Sequence, residues 1–204
     1  VATEAAEDYL KAVYRLAGES ATGEAGMTRL AAAVGVTTGT ATSMVKKLAA
    51  AKLVRYERFG GVRLTAKGTR AALDILRRHR LVETFLVRTL ELDWSEVHEE
   101  AERLEHAVSA RVLAALDRHL GHPAVDPHGD PIPRADGAMA TGEGRSLDRC
   151  VAGERVRLAR ALDQREGTLR YLEGCGLTIG REVAVECVEE VAGTVRVRVV
   201  GGGV

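Results

Sequence analysis

The 204 residues carry 29 Lys or Arg against 29 Asp or Glu, and 46% of them are apolar, a balance ordinary for one large or two to three small soluble domains. No run approaches the roughly 18 uninterrupted apolar residues of a membrane span, and Glu4, Glu7 and Asp8 stand where a secretory signal would be basic and then apolar. A cytoplasmic protein with no membrane partner is therefore expected, its odd set of cysteines (Cys150, Cys175, Cys187) remaining free thiols. The charge is unevenly spread: residues 27–70 hold nine Lys or Arg and one acid, whereas 71–140 hold eight basic and thirteen acidic groups. The first segment suits a polyanion and the second suits cations.

In chain order, Ala5, Tyr9, Ala12, Val13 and Leu16 mark a helix over 3–18 that Gly18 stops. Thr28 is expected to cap a short helix, Arg29 to Val34, ending at Gly35; Thr37 or Thr38 caps a second that reaches Ala51. This is helix-turn-helix spacing, with Ala32 and Ala33 where the helices would approach. The second helix would expose Thr38, Thr40, Ser43, Lys46 and Lys47, short hydroxyls followed by lysines, as major-groove entry flanked by phosphate contacts requires. Leu53 to Arg58 and Val62 to Thr65 flank Gly60-Gly61 as a strand-turn-strand wing, whose Arg55, Arg58 and Arg63 suit a phosphate backbone. DNA contacts are accordingly assigned to Arg29, Thr38, Thr40, Ser43, Lys46, Lys47, Arg58 and Arg63.

A long helix then runs from Thr65 towards Arg88, followed by a break at Leu90 to Trp94 and a helix from Glu96 to Leu120 that Ser95 caps. Trp94 reads as a packing anchor. Their apolar sides exceed what one small unit buries, so a homodimer is expected. On the second of these helices His98, Glu102, Glu105 and His106 fall at i, i+4, i+7 and i+8, one stripe of imidazoles and carboxylates. His79 and Glu83 repeat the i, i+4 pairing on the preceding helix. A solvated charged face is the ordinary reading of such a stripe; its repetition on two neighbouring helices favours chelation. Oxygen and nitrogen donors without cysteine suit Mn²⁺, Fe²⁺ or Zn²⁺. Neither H-E-x-x-H nor Glu-x-x-His occurs, which leaves a zinc hydrolase or a di-iron bundle without its signature. Residues 121–145 hold all four prolines and form an irregular connection in which His122 and His128 read as turn or surface residues. Beyond Leu147, Val151–Ala159 and Glu182–Val200 alternate as strands around a short helix at Gly167–Gly174, predicting a small barrel and a mobile glycine tail.

Four motifs in order, Glu7-Asp8-Tyr9-Leu10-Lys11-Ala12-Val13-Tyr14, Arg78-His79-Arg80-Leu81-Val82-Glu83, Val97 to His106, and Pro127-His128-Gly129-Asp130-Pro131-Ile132-Pro133, closely resemble the diphtheria toxin repressor family of metal-dependent transcriptional repressors. The resemblance covers the first 140 residues well. It implies a mainly α protein with a small β domain: a winged helix-turn-helix DNA-binding domain (1–70), a helical metal-binding and dimerisation domain (71–140), a linker (141–149) and an SH3-like barrel domain (150–204). It implies a homodimer on a double-stranded DNA operator, controlling metal-homeostasis genes, with two metal sites per subunit. Carried over by motif, one site uses Asp8, Glu102, Glu105 and His106, the other His79, Glu83 and His98. Iron-responsive members have Met where this chain has Asp8 and Cys where it has Glu102; manganese-responsive members resemble this chain at both. Two carboxylates in those places harden the site and favour Mn²⁺ as cofactor, with Fe²⁺ the alternative and Zn²⁺ or Co²⁺ as substitutes in vitro. Two-domain manganese regulators carry Glu where this chain has Lys11, so separate sites are expected instead of a closely spaced metal pair. Three-domain relatives add a ligand from the third domain; Asp163 and Glu166 fall in the region, and Asp163 is favoured. A metal-dependent hydrolase or oxidase and a metal-independent winged-helix protein stay open as other readings.

Overall fold

The computed structural model describes residues 3–57, 60–140 and 144–201. They form two compact units, one of residues 1–79 with 133–138, the other of 80–132 with 139–204.

In the first unit, α1 (Glu4–Gly18) starts at Thr3, whose hydroxyl accepts the Ala6 N–H. α2 (Met27–Ala33) starts two residues earlier than expected, from Gly26, so Thr28 lies inside it and is not its cap. α3 (Thr38–Ala50) is capped by Thr37, which accepts the Thr40 N–H at 3.2 Å and so satisfies one of the orphan donors at that helix end. Leu30, Ala31, Ala41 and Val45 are buried at the α2–α3 approach, while Ala32 and Ala33 face solvent, one and two residues off the expected position. β1 (Val54–Tyr56) and β2 (Val62–Leu64) pair antiparallel with Arg55 opposite Arg63. Ala25 extends this wing by exchanging both backbone hydrogen bonds with Val62 at 2.9 Å. Leu10, Val13, Leu30, Val45 and Val62 are fully enclosed in one core, each contributing roughly 1.5–3 kcal/mol over exposure. α4 (Ala66–Leu90) enters from this unit and continues into the second.

In the second unit the single helix expected over 96–120 is two. α5 (Val97–Leu104) ends in a turn at Glu105–Ala107, and α6 (Ala110–His119) restarts from Ser109, whose hydroxyl accepts the Val112 N–H. Apolar periodicity continues across the break, and a serine with extended backbone is the local sign of the restart. Ser95 does not cap α5; its N–H and hydroxyl both donate to Asp93. The C-terminal portion is a three-stranded antiparallel sheet, β3 (Arg155–Arg157), β4 (Glu182–Glu189) and β5 (Thr194–Val199), with α7 (Glu166–Gly174) between β3 and β4. Of the expected strand at Val151–Ala159 only Arg155–Arg157 form a regular strand, with further backbone hydrogen bonds at Gly153, Glu154 and Leu158, and the sheet does not close into a barrel among the described residues. Gly202 and Gly203 of the predicted tail lie outside the described residues.

The loop 126–130 joins this sheet domain to the helices. Trp94 packs with Ala161 and Leu169 as the anchor expected. The Ala161 N–H donates to the His128 carbonyl at 2.9 Å, and Asp130 meets Arg160 and Gln164. Gly129 has φ +85°, and a β-carbon there would stand 2.0 Å from the Ala159 carbonyl oxygen. Gly129→Ala is expected to destabilise the protein by about 3 kcal/mol through overpacking and strain together. Gly180→Ala, at the same φ with open space around it, should cost about 1 kcal/mol; urea midpoints of the two variants make the comparison.

Candidate metal centre and nucleic-acid interface

The second unit gathers carboxylates and imidazoles around Glu83. That side chain projects from α4 and is 1% exposed. Its Oε1 lies 3.2 Å from His98 Nδ1, and Oε2 lies 3.7 Å from His128 Nδ1. His98 is half-exposed and brings its other nitrogen 3.6 Å from Glu102 Oε1, one turn on along α5. Glu105 and His106 follow in the turn after α5, with Glu105 fully buried and its Oε1 3.6 Å from His106 Nε2. Glu83 and His98 of one expected site, and Glu105 and His106 of the other, are thus brought together, with His98 also near Glu102 of the second set, although Glu105 and His106 stand in a turn and not on a helical stripe. His79 is buried on α4, one turn before Glu83. Asp8 is half-buried on α1 in the first unit. Asp163 precedes α7, where its carboxylate accepts from Arg165 and from the Thr168 hydroxyl. The Arg165 guanidinium holds the Asp163 carboxyl far below the usual range. Glu166 opens α7 and pairs with Arg170 at 3.0 Å.

His128, expected in a turn or at the surface, does stand in a turn but is fully buried. Its Nε2 bonds the Trp94 carbonyl at 2.7 Å, its ring stacks on the Trp94 indole, and its Nδ1 has no hydrogen-bond partner. Pro127-His128-Gly129-Asp130 looks like a turn locally, and it is one; only the sheet domain packed over it makes it interior. Asp126 Oδ1 accepts the His128 and Asp130 N–H groups at 2.9 Å each. Ligand atoms of Glu83, Asp126 and His128 all lie within 4.8 Å of one another, and all three residues are buried. Burial, with the Glu83 and Asp130 carboxylates close by, pushes the Asp126 carboxyl up to about 6 despite Arg80. Burial opposes charge on His128, but Glu83 and the Trp94 carbonyl outweigh it and raise its pKa. A buried imidazole nitrogen 3.7 Å from the Glu83 carboxylate and close to Asp126 offers the nitrogen and oxygen donors that fit a hard divalent cation. His122, by contrast, is exposed and pairs with Asp117 at 2.8 Å, as a surface residue should.

On the first unit, Thr38, Thr40, Ser43, Lys46 and Lys47 of α3 are all exposed, while Ala41, Val45 and Leu48 face the core. A groove of about 790 Å³ beside the start of α3 is lined by Thr28, Arg29, Thr38, Tyr56 and the Gly60-Gly61 turn. Arg29 and Arg63 are exposed, yet each meets a carboxylate: Arg29 with Glu19 at 2.7 Å, Arg63 with Glu24 at 2.6 Å. Both acids precede the basic segment 27–70 in sequence, so its charge count misses them. Arg58 lies outside the described residues.

Three domain families match in order: "Iron dependent repressor, N-terminal DNA binding domain" over residues 2–62, "Iron dependent repressor, metal binding and dimerisation domain" over 65–134, and "FeoA domain" over 145–203. A solved manganese-dependent transcriptional repressor in complex with manganese is 43% identical, covering 97% of this chain and 90% of its own at a TM-score of 0.88. The chain belongs to the family of iron- and manganese-dependent repressors. Within that family, the iron-dependent repressor IdeR of Mycobacterium tuberculosis (strain H37Rv) is 35% identical over 127 residues, 62% of this chain. This chain spans about half (54%) of the length of that curated relative. The structure of ScaR with bound Zn²⁺ is 33% identical, covering 96% of this chain and 90% of its own with a TM-score of 0.80. No described helix is long and apolar enough to cross a membrane.

Proposed function

We propose that this member of the family is a homodimeric, manganese-dependent transcriptional repressor controlling metal-ion homeostasis genes from the cytoplasm. The observation that carries the reading is the donor set: buried Glu83 and Glu105 carboxylates beside His98 and His106, with only oxygen and nitrogen donors among them. Asp8, Glu102, Glu105 and His106 would hold one cation; His79, Glu83 and His98 would hold the second. Asp126 and His128 offer the second site a further face of Glu83, with Asp163 a weaker candidate. The cation supplies positive charge against carboxylates that otherwise repel one another. A cation held by Asp8 together with Glu102, Glu105 and His106 would make DNA binding answer to metal supply. Thr38, Thr40 and Ser43 would then read bases, while Arg29, Lys46, Lys47, Arg58 and Arg63 meet phosphates. In the dimer two such heads address half-sites one helical turn, about 34 Å, apart. Leu104 and Val112, exposed on α5 and α6, supply apolar surface for a partner subunit, and we assign segments 71–140 to dimerisation, 1–70 to DNA and 150–204 to the SH3-like domain. No catalytic role is assigned.

Iron is the second reading, supported by the likeness to IdeR; two carboxylates at Asp8 and Glu102 weigh towards manganese. The test strips the protein with chelator, then titrates Mn²⁺, Fe²⁺ under anaerobic conditions, or Zn²⁺ while measuring affinity for a duplex selected by the manganese-loaded protein. Affinity should rise on the order of 10²-fold or more with Mn²⁺, because a near-complete switch needs roughly 10⁴-fold preference for one state. Equal affinity in chelator and in Mn²⁺ would refute metal dependence.

A further inference from the structure

Glu24 stands outside everything assigned so far, yet it touches the wing three ways. Its carboxylate takes the Arg63 Nε–H at 2.6 Å and lies close against Gly61. Next to it, Ala25 is bridged to Val62 by two backbone hydrogen bonds. Gly61 approaches so closely that a β-carbon there would lie 2.5 Å from Glu24 Cβ; only glycine lets the wing turn sit against this side chain. Arg63 holds its carboxylate contact through Nε, and no second carboxylate lies within 4 Å of its guanidinium among the described residues. The two terminal nitrogens, one of them passing over Gly23, are left for another acceptor. Arg29 differs: Glu19 takes its Nη2, the tip itself. Across the wing Arg63 stands opposite Arg55, another cation, so the Glu24 carboxylate is what fixes its direction.

We propose that Glu24 is a positioning residue for DNA binding: it seats the wing turn through Gly61 and aims Arg63, held at Nε, so that its terminal fork meets a backbone phosphate. This rests on the repressor reading, in which Arg63 contacts phosphate. A guanidinium fork held in one direction loses less freedom on pairing with phosphate than a freely rotating one. The Arg63 and Gly61 contacts hold the Glu24 carboxyl below the usual range, so it stays charged at neutral pH.

The experiment measures affinity of the manganese-loaded, full-length protein for its selected duplex at several salt concentrations, in wild type, E24A, E24Q, R63A and E24A/R63A. R63A should weaken binding about fivefold and lower the slope of log affinity against log salt by about 0.9, one phosphate contact. E24A should weaken binding roughly three- to fivefold, no more than R63A does, the double variant should be no weaker than R63A alone, and E24Q, which keeps an acceptor oxygen, should stay within about twofold of wild type. Additive losses in the double variant would mean that Glu24 only holds the wing together and would overturn the proposal. So would tighter binding by E24A, which would make the carboxylate a competitor of DNA. An R63A protein that binds like wild type overturns the assignment of Arg63 to phosphate and the proposal with it, while leaving metal-dependent binding standing. Loss of binding to every duplex in the wild type, with manganese present, overturns both readings.

Discussion

Glu105→Gln is expected to cost the manganese-loaded protein about 100-fold or more in operator affinity while leaving it folded. Glu105 is 0% exposed, and its carboxylate lies 3.6 Å from the His106 imidazole. Placing an ionised carboxylate where no water reaches it costs several kcal/mol unless cations or hydrogen bonds compensate. The carboxamide keeps the volume and one acceptor oxygen but loses the charge that a hard divalent cation requires. Thermal denaturation supplies an independent reading. A cation at 100 times its dissociation constant stabilises the native state by about 2.7 kcal/mol per site, so the wild-type midpoint should climb with Mn²⁺ and the E105Q midpoint should climb about half as far. Two sites should still show as one. If E105Q matches wild type in both affinity and metal-induced stabilisation, Glu105 is no ligand.

Asp126→Asn is expected to stabilise the metal-free protein at pH 7.5 and to leave it nearly unchanged at pH 4. The Asp126 carboxyl is pushed up to about 6 by burial and by Glu83 and Asp130, whereas an unfolded chain releases the same proton near pH 3.9. Below both values the group is protonated folded or unfolded, and it costs nothing. As pH rises from about 4 to 6 the unfolded chain loses the proton first, so folding is penalised increasingly; above 6 the penalty is complete, on the order of 2–3 kcal/mol. Asparagine keeps the oxygen that accepts the His128 and Asp130 N–H groups and never charges. Urea denaturation of both proteins at the two pH values, in chelator, measures the difference. A gain of equal size at both pH values would show that the aspartate is not strained by its charge. Manganese should narrow the gap at pH 7.5, because a cation beside Glu83 and His128 supplies what the ionised carboxylate lacks.

Much of the first unit was legible because its signals are local. Thr37 caps α3 where a hydroxyl precedes a helical pattern, and the alternation of Ala41, Val45 and Leu48 with exposed Thr40, Ser43 and Lys47 separates core from DNA face without any tertiary information. The wing register follows from Gly60-Gly61 between two short apolar runs. The split at 105–109 was hidden for the converse reason: Leu104, Val108 and Val112 keep helical spacing through the turn, so periodicity alone carries the helix onward. Ser109 was the available sign. His128 could not be placed from its neighbours, since Pro127 and Gly129 announce a turn whether or not another domain covers it. The acids at Glu19 and Glu24 are missed by counting charge along the chain, because they reach Arg29 and Arg63 across 10 and 39 residues.

The break between α5 and α6 bears on how quickly such a protein forgets its effector. Helices of 8 and 10 residues are too short to persist unaided in water, and the turn between them carries Glu105 and His106. On the proposed ligand assignment, release of an ion from these two side chains would require only fraying of a brief segment, a sub-global opening whose free energy lies well below that of complete unfolding. With an uninterrupted rod across 96–120, the same release would demand melting several turns together. Residence time on the protein would then be set by a small, separately tunable stretch of backbone, and response to falling supply would not have to wait for the molecule to come apart.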